Sequence, residues 1–207
     1  METAFALPFL QSVLIGLSIA APVGPIGLLT IQRSIERGPA AGLATGLGAA
    51  FADGIYGALG ALGLAALVHA LVSARLWLTL GGVAFMLALA WRTWRMPPAH
   101  GLADERRGAD ILRCFSTTFV LTLSNPMTIL SFIAVFGSMS THFAKTSPWT
   151  MIAGVFLGSA LWWLLLSTAV GKLGQRFDSR RRRQVSRASA ILLAVLAVWQ
   201  LALLLRP

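Results

Sequence analysis

Long apolar stretches, separated by short polar segments, run through almost the whole chain. Six of them can be distinguished, at about 5–31, 40–68, 76–94, 114–139, 149–171 and 188–205. Each is near the roughly 20 residues that an α-helix needs to cross a bilayer. The pattern therefore predicts an all-α integral membrane protein with six transmembrane helices, in which residues 1–207 form a single domain.

Helix-breaking residues interrupt two of these stretches. The first stretch contains Pro22, Gly24 and Pro25, and the fourth contains Asn125 followed by Pro126. An unpaired backbone group in hydrocarbon costs several kcal/mol, so a broken helix persists only where its freed groups face protein, water or a ligand. Transporters bind their cargo at such breaks. We therefore expect a binding site where the two broken helices meet.

The six stretches divide into two halves of three. Because three is an odd number, the second half enters the membrane from the side opposite to the first. The expected architecture is two inverted three-helix repeats, in which helices 1 and 4 are broken. Repeat one covers about 1–95 and repeat two about 113–207, joined by a cytoplasmic linker at about 96–112 that is rich in proline, glycine and charge.

Composition excludes a soluble protein. Hydrophobic residues make up 57% of the chain, charged residues only 12%, and the mean hydropathy is +0.76. A soluble domain needs about twice this charged fraction. The single cysteine, Cys114, excludes an internal disulfide.

The distribution of basic residues decides what the net charge of +10 means. Most of them follow the first, third and fifth stretches, at Arg33, Arg37, Arg92, Arg95, Arg106, Arg107, Arg113, Lys172, Arg176, Arg180, Arg181, Arg182, Arg183 and Arg187. By the positive-inside rule these segments are cytoplasmic and both termini lie outside. The basic run at 180–183 is interpreted as a topology anchor, with anionic membrane lipids as its next candidate partner and no nucleic acid expected.

Asp53 is the only acidic residue inside the predicted stretches. It lies roughly 14 residues after Pro39, which places it near the centre of the bilayer. A carboxylate there costs at least ~2.5 kcal/mol on insertion scales, so it should face a polar cavity or the interior of the bundle. Asp53 is therefore a candidate for binding cargo or a proton, and the alternative is a carboxyl group that only ties helices together. Tyr56 shares its helix face and is a second candidate, or else an aromatic that hydrogen-bonds a neighbouring helix.

Small residues at helical spacing surround Asp53 and predict close helix packing. They are Gly42, Gly46, Ala49, Ala50, Gly57 and Gly60. The fifth stretch has a smaller counterpart in Gly154 and Gly158, with Trp162 near the position that would correspond to Asp53. Similar small-residue faces also join separate chains, so the sequence does not decide between a monomer and a homo-oligomer.

The breaks themselves carry candidate binding groups. A proline suits the first position of a helix, so Pro25 and Pro126 would each begin a half-helix whose positive end points into the membrane. Two such ends suit a carboxylate. Gly24 allows the backbone to approach a ligand, and Asn125 offers both a donor and an acceptor. The alternative is that the prolines are structural kinks filled by neighbouring helices.

Other polar residues give weaker predictions. The fourth stretch carries a polar stripe that could line a path, although hydroxyl groups also bond to their own helix; it consists of Thr117, Ser124, Asn125, Thr128 and Ser131. The three histidines, His69, His100 and His142, are scattered and lack metal-ligand spacing. We therefore expect no metal centre, no cofactor and no enzyme activity.

These motifs, in this order, resemble the LysE/RhtB family of amino-acid exporters. The resemblance rests on residues 16–25, the run from Gly42 to Asp53 and residues 124–126, and it extends over nearly the whole chain. By motif position, the family's proline-glycine-proline element corresponds to Pro22, Gly24 and Pro25, its second-helix aspartate to Asp53, and its asparagine-proline pair to Asn125 and Pro126. Val23 separates Pro22 from Gly24, and Met127 stands where the family frequently has lysine, so the cargo is left open.

The resemblance implies the direction and kind of transport. Members of the family export small amino acids, such as basic ones, homoserine, threonine or leucine, from the bacterial cytoplasm across the inner membrane, driven by the proton motive force. We therefore expect a proton-coupled exporter of an amino acid or similar metabolite that works by alternating access. The alternatives are a divalent metal-ion exporter of the same superfamily, for which one carboxylate and one cysteine are poor ligands, and a non-transporting membrane scaffold.

Overall fold

Eight α-helices make up the described part of the chain in the computed structural model. It describes residues 2–22, 24–62, 69–70, 72–95, 107–139, 147–174 and 176–204. The helices are α1 (Glu2–Ala20), α2 (Pro25–Arg37), α3 (Pro39–Ala61), α4 (Arg75–Arg95), α5 (Arg107–Leu123), α6 (Pro126–Met139), α7 (Pro148–Gly174) and α8 (Ser179–Leu204). The predicted all-α class is confirmed.

Several of these helices can cross a membrane. In the described ranges, α4, α7 and α8 are each long and apolar enough, and up to five crossings result if the bent pairs α1–α2 and α5–α6 each count as one. The 23-residue helix α3 is not among them, because its glycines and Asp53 lower its hydropathy. The chain is thus a multi-pass membrane protein, whereas the count of six and the repeat stay predictions.

Both predicted breaks lie where the sequence indicated. The axes of α1 and α2 differ by 80° and those of α5 and α6 by 60°. In each pair the second helix starts at a proline, Pro25 or Pro126. Val23, between the two prolines of the first break, lies outside the described residues. The helix α5 begins at Arg107, within the last residues of the predicted linker at about 96–112, where Asp110 in its first turn favours a helix start. Residues 96–106 of that linker lie outside the described residues.

Glycines bring α3 and α7 into close contact. A Cβ atom on Gly46 would overlap the side chain of Trp163, and one on Gly57 would touch Val155 at 3.4 Å. These positions, together with Asp53, form one face of α3 directed at α7, which confirms the predicted small-residue face. Gly158 of α7 packs instead against the backbone of α1.

Several of the helix contacts occur in exchanged pairs. α1 packs against α7 while α5 packs against α3, and α2 packs against α8 while α6 packs against α4. Other contacts lie outside this pattern, since α2 packs more extensively against α3 and α7 than against α8. The helices α3 and α7 contact each other, as do α4 and α8. Each broken pair therefore lies against unbroken helices from the other half of the chain.

The basic ends of five helices meet at one end of the bundle, which we call the basic end. Arg37 of α2 forms an ion pair with Asp110 of α5 at 3.9 Å. Arg182 of α8 donates to the carbonyl oxygens of Glu36 in α2 and Gly174 in α7, and the Arg187 guanidinium lies 5.4 Å from the ring centre of Trp94 in α4. The segments that the charge pattern predicts to be cytoplasmic therefore share one end of the protein.

Candidate functional site

A cavity of about 140 Å³ lies where the two breaks meet. Both breaks contribute to its wall, together with α3 and α7. The lining residues are Ile19, Ala20, Pro22, Gly24, Ile26, Gly27, Ala49, Asp53, Thr122, Asn125, Thr128, Ser131 and Trp163. Four of the residues singled out from the sequence, namely Pro22, Gly24, Asp53 and Asn125, thus surround one space.

Asp53 is the only charged side chain in the described lining of this cavity. Its side chain is buried, with 4% of its surface exposed. The Ser159 hydroxyl of α7 donates to Asp53 Oδ2 at 2.7 Å, and the Trp163 indole Nε1–H donates to Ser159 Oγ at 3.1 Å. A short chain of hydrogen bonds from α7 therefore orients the carboxyl group.

The starts of both half-helices lie at the cavity wall. In α2 the first intrahelical hydrogen bond is formed by Leu28, whose N–H donates to Gly24 O at 3.0 Å. In α6 Ile129 N–H donates to Asn125 O at 3.2 Å. The amides before these two have no partner within their helices by the geometry of an α-helix. Two positively polarised helix ends therefore face the same space as Asp53.

Hydroxyl groups complete the polar part of the wall. Thr122, Thr128 and Ser131 line the cavity beside Asn125. The predicted polar stripe is thus only partly present here, because the Thr117 hydroxyl bonds to Arg113 O of its own helix and Ser124 lines a separate space. No arginine, lysine or histidine belongs to the described lining.

Two of the predicted site residues, Pro25 and Tyr56, lie differently. Pro25 and Asn125 border a second cavity of about 10 Å³, which has room for about one water molecule. Tyr56 is outside the lining of the larger cavity, and its hydroxyl donates to Leu123 O at 2.7 Å, at the end of α5. That bond satisfies one of the carbonyl groups freed by the break. Pro126 is the first residue of α6.

Two residues of the site were missed in the sequence. Ser159 and Trp163 stand four apart on α7, and both are buried. Their spacing places them on one helix face, but the sequence does not show that this face meets Asp53. Only the antiparallel packing of α3 against α7 brings these side chains together.

Arg33 corrects an interpretation made from the sequence. The charge pattern placed it in a cytoplasmic loop, whereas it lies inside α2 and is 9% exposed. Its Nη1 donates to Thr45 Oγ1 of α3 at 3.1 Å, and to Cys114 O at 3.0 Å and Thr118 Oγ1 at 3.1 Å in α5. The helix α2 continues past Arg33 to Arg37. It ends there because the next residue, Gly38, has a positive φ of 90°, which is not helical.

No metal-binding group is apparent in the described ranges, since no three His, Cys, Asp or Glu side chains gather there. The cavity can instead offer one carboxylate, several hydroxyl and amide groups and two helix starts. These groups suit a small polar molecule that carries both charges.

Comparison with known proteins supports a transport role. The chain is 32% identical over 181 residues to the uncharacterized membrane protein YahN of Escherichia coli, covering 85% of this chain and 79% of that protein. It is 28% identical to the putative amino acid efflux protein YcgF of Bacillus subtilis, covering 74% and 76% of the two chains. It is 26% identical to the arginine exporter protein ArgO of Pectobacterium atrosepticum, covering 86% and 87%.

No solved structure matches the chain. The family model for LysE type translocators matches residues 17–203, which include both breaks, Asp53 and the helices around the cavity. A match of this length assigns the chain as a membrane transporter rather than an enzyme. The protein therefore belongs to the family of LysE type translocators.

Proposed function

We propose that this protein exports a small amino acid from the bacterial cytoplasm across the inner membrane, by alternating access and in exchange for protons. The proposal rests on one observation: residues of both helix breaks and Asp53 line the same cavity. A transporter needs such a chamber between two moving halves of the bundle.

The charges of the cavity match those of an amino-acid backbone. The Asp53 carboxylate is a partner for the cargo ammonium group, and the helix starts at Gly24 and Asn125 are partners for its carboxylate. The volume of about 140 Å³ is close to that of an engineered cavity of about 150 Å³ that binds benzene. Alanine has as many non-hydrogen atoms as benzene, so a small amino acid fits.

Asp53 also suits proton coupling. It is buried and, besides the one hydrogen bond from Ser159, faces the cavity. A carboxyl group in this position carries a proton when the cavity is empty and dry, and it binds the cargo ammonium group when it is ionised. Because the proton and the cargo ammonium group exchange at the same carboxyl group, proton entry is linked to cargo exit.

The relatives support amino acids as cargo and export as the direction. One relative is named a putative amino acid efflux protein and another an arginine exporter. The exchanged helix contacts support two inverted repeats, and the shared basic end supports a cytoplasmic location for that end, with both termini outside.

The test is efflux from proteoliposomes under an imposed pH gradient. Proteoliposomes are loaded in turn with each of a panel of amino acids. Asp53→Asn should lower efflux of the transported amino acid at least about 100-fold, since it removes both the proton site and the charge that binds the ammonium group. Asp110→Asn is the matched control, because Asp110 lies at the basic end, outside the cavity, and should keep wild-type efflux. Unchanged efflux by Asp53→Asn would refute the coupling role.

Two alternatives remain to be separated. A divalent metal ion has less support as cargo, since the cavity offers a single carboxylate. A non-transporting scaffold would give no growth benefit when the protein is overexpressed in cells fed toxic levels of single amino acids or dipeptides. The proposed exporter should restore growth with at least one of them.

A further inference from the structure

Arg33 holds three helices together near the basic end. Its Nη1 shares two hydrogens among three acceptors, one on α3 and two on α5. The acceptors are arranged for it, because the hydroxyls of Thr45 and Thr118 donate their own hydrogens to Ala41 O and Cys114 O. Their lone pairs are thus left for the guanidinium.

The positive charge of Arg33 has no carboxylate within hydrogen-bonding distance in the described ranges. Among the described residues its polar contacts are all neutral oxygens. The nearest acid along α2, Glu36, is instead bonded by the Gln32 amide and by the Ser186 hydroxyl of α8. A buried cation is costly unless it is paired, and an arginine binds a carboxylate more strongly than neutral oxygens, through two parallel hydrogen bonds.

Arg33 lies between the cavity and the basic end. Thr45, its partner on α3, precedes Asp53 by eight positions on the same helix, so the two charged groups are separated by about 12 Å along the axis. The positive-inside rule assigns the basic end to the cytoplasm. A cargo that moves from the cytoplasm to the cavity would therefore meet the Arg33 region first.

The same contact closes α2 onto its neighbours. α2 begins at the cavity with Gly24 and Ile26 and runs to the basic end. The hydrogen bonds of Arg33 therefore join α2 to α3 and α5 at a level between the cavity and the basic end. Since α5 belongs to the second half of the chain, they also join the two halves.

We propose that Arg33 is a second cargo contact, which recognises the carboxylate of an entering amino acid and thereby releases α2 from α3 and α5. The carboxylate replaces the three neutral acceptors, and the separation of the helices opens the cavity toward the cytoplasm. The inference rests on the proposed function for the identity of the cargo. The release of the helices can be measured without transport.

The only cysteine of the chain reports on this release. Cys114 is 1% exposed, and its carbonyl oxygen is one of the Arg33 acceptors. Inside-out membrane vesicles are treated with a membrane-impermeant maleimide, and the rate of Cys114 labelling is measured. The additions are alanine, threonine and arginine, each compared with its amide, which lacks the carboxylate.

In the wild-type protein, at least one amino acid should raise the labelling rate about tenfold, and its amide should leave it unchanged. Arg33→Gln should label at the raised rate without any addition and should not respond to amino acids. Arg33→Lys, which keeps the charge and guards against a folding defect, should keep a partial response. Arg92→Gln is the matched control, since Arg92 is an exposed arginine in the last turn of α4, at the basic end, and it should behave as the wild type.

If Cys114 is labelled in Arg33→Gln at the wild-type rate, Arg33 does not hold the helices together. If amino acids and their amides raise the labelling rate equally, Arg33 does not recognise the carboxylate. The two proposals can fail separately. If no amino acid leaves loaded proteoliposomes while Arg33→Gln still exposes Cys114, the transport proposal fails and the role of Arg33 in holding the helices together stands. If Asp53→Asn abolishes efflux while Arg33→Gln neither labels faster nor changes efflux, the reverse holds.

Discussion

Asp53 and Arg33 are two buried residues of opposite charge that lie in very different surroundings. Asp53 borders a cavity and, among the described residues, accepts one side-chain hydrogen bond, from Ser159. Arg33 is enclosed by packed helices and donates to three oxygens. Both are paired only with neutral groups in the described part of the chain.

The difference indicates how each residue acts. A charged group beside a cavity can change partners without moving its helix, whereas a charged group that joins three helices can change partners only if they separate. Asp53 is therefore suited to binding and release, and Arg33 to holding the bundle closed. Small-residue packing makes both positions possible, because it brings α3 close to α7 and to α5 at Gly46 and Gly48.

The largest expected effect is a difference in stability between substitutions of Arg33 and Asp53. Arg33→Gln should lower the free energy of unfolding by about 2 kcal/mol, because hydrogen bonds to a charged group are lost between helices. This corresponds to a decrease of about 4–8 °C in the melting temperature of a chain of this size. Asp53→Asn should shift it by no more than about 2 °C, since an amide oxygen can still accept from Ser159.

Thermal unfolding of the purified proteins in detergent measures both shifts, with Arg92→Gln, at an exposed position in the last turn of α4, as the control. An equal loss of stability in Asp53→Asn and Arg33→Gln would show that Asp53 also holds helices together. The contrast between the two residues would then be wrong.

A smaller effect should follow from Ser159→Ala. The substitution removes the donor to Asp53 and leaves the Trp163 indole without its acceptor. Efflux should fall about fivefold, which corresponds to about 1 kcal/mol for one hydrogen bond. Ser167→Ala is the control on the same helix, because the Ser167 hydroxyl bonds to Leu164 O of its own helix. Identical efflux from the two variants would mean that Ser159 does not position the carboxyl group.

The smallest effect is expected at one of the Arg33 acceptors. Thr118→Val removes one of three oxygens and leaves Thr45 and Cys114 O in place, so the Cys114 labelling rate should rise only about twofold. Thr117→Val, next to it on α5 but bonded to its own helix, should have no effect. If Thr118→Val raises the Cys114 labelling rate as much as Arg33→Gln does, the threonine rather than the arginine charge holds the helices together.

Much of the fold could be predicted because it follows from local rules. Proline combined with glycine, or asparagine followed by proline, favours a helix break, and both breaks lie at the predicted residues. The isolated Pro8, by contrast, lies within α1. The glycines around Asp53 predicted a face for close packing, which the contact with α7 confirms. The helix α5 begins before the apolar stretch does, because the polar residues from Arg107 to Arg113 are helical as well.

The candidate site could be predicted only in part. Asp53 was conspicuous because an acid in a long apolar stretch is rare. Ser159 and Trp163 are common in apolar helices, so nothing local distinguishes them. Arg33 was misread because a charge near the end of a span usually reaches water, whereas here three oxygens from other helices hold it inside.

The sequence by itself determined that the chain is helical, that it lies in a membrane, where two of its helices break and which acid is buried. These properties depend on hydropathy and on the backbone chemistry of single residues. Only the tertiary structure decided that both breaks and Asp53 border one cavity, that Ser159 orients the carboxyl group and that Arg33 joins α2 to α3 and α5. Such contacts depend on which helix faces meet, and in an apolar chain many pairings bury similar surfaces, so close packing at a few glycines selects among them.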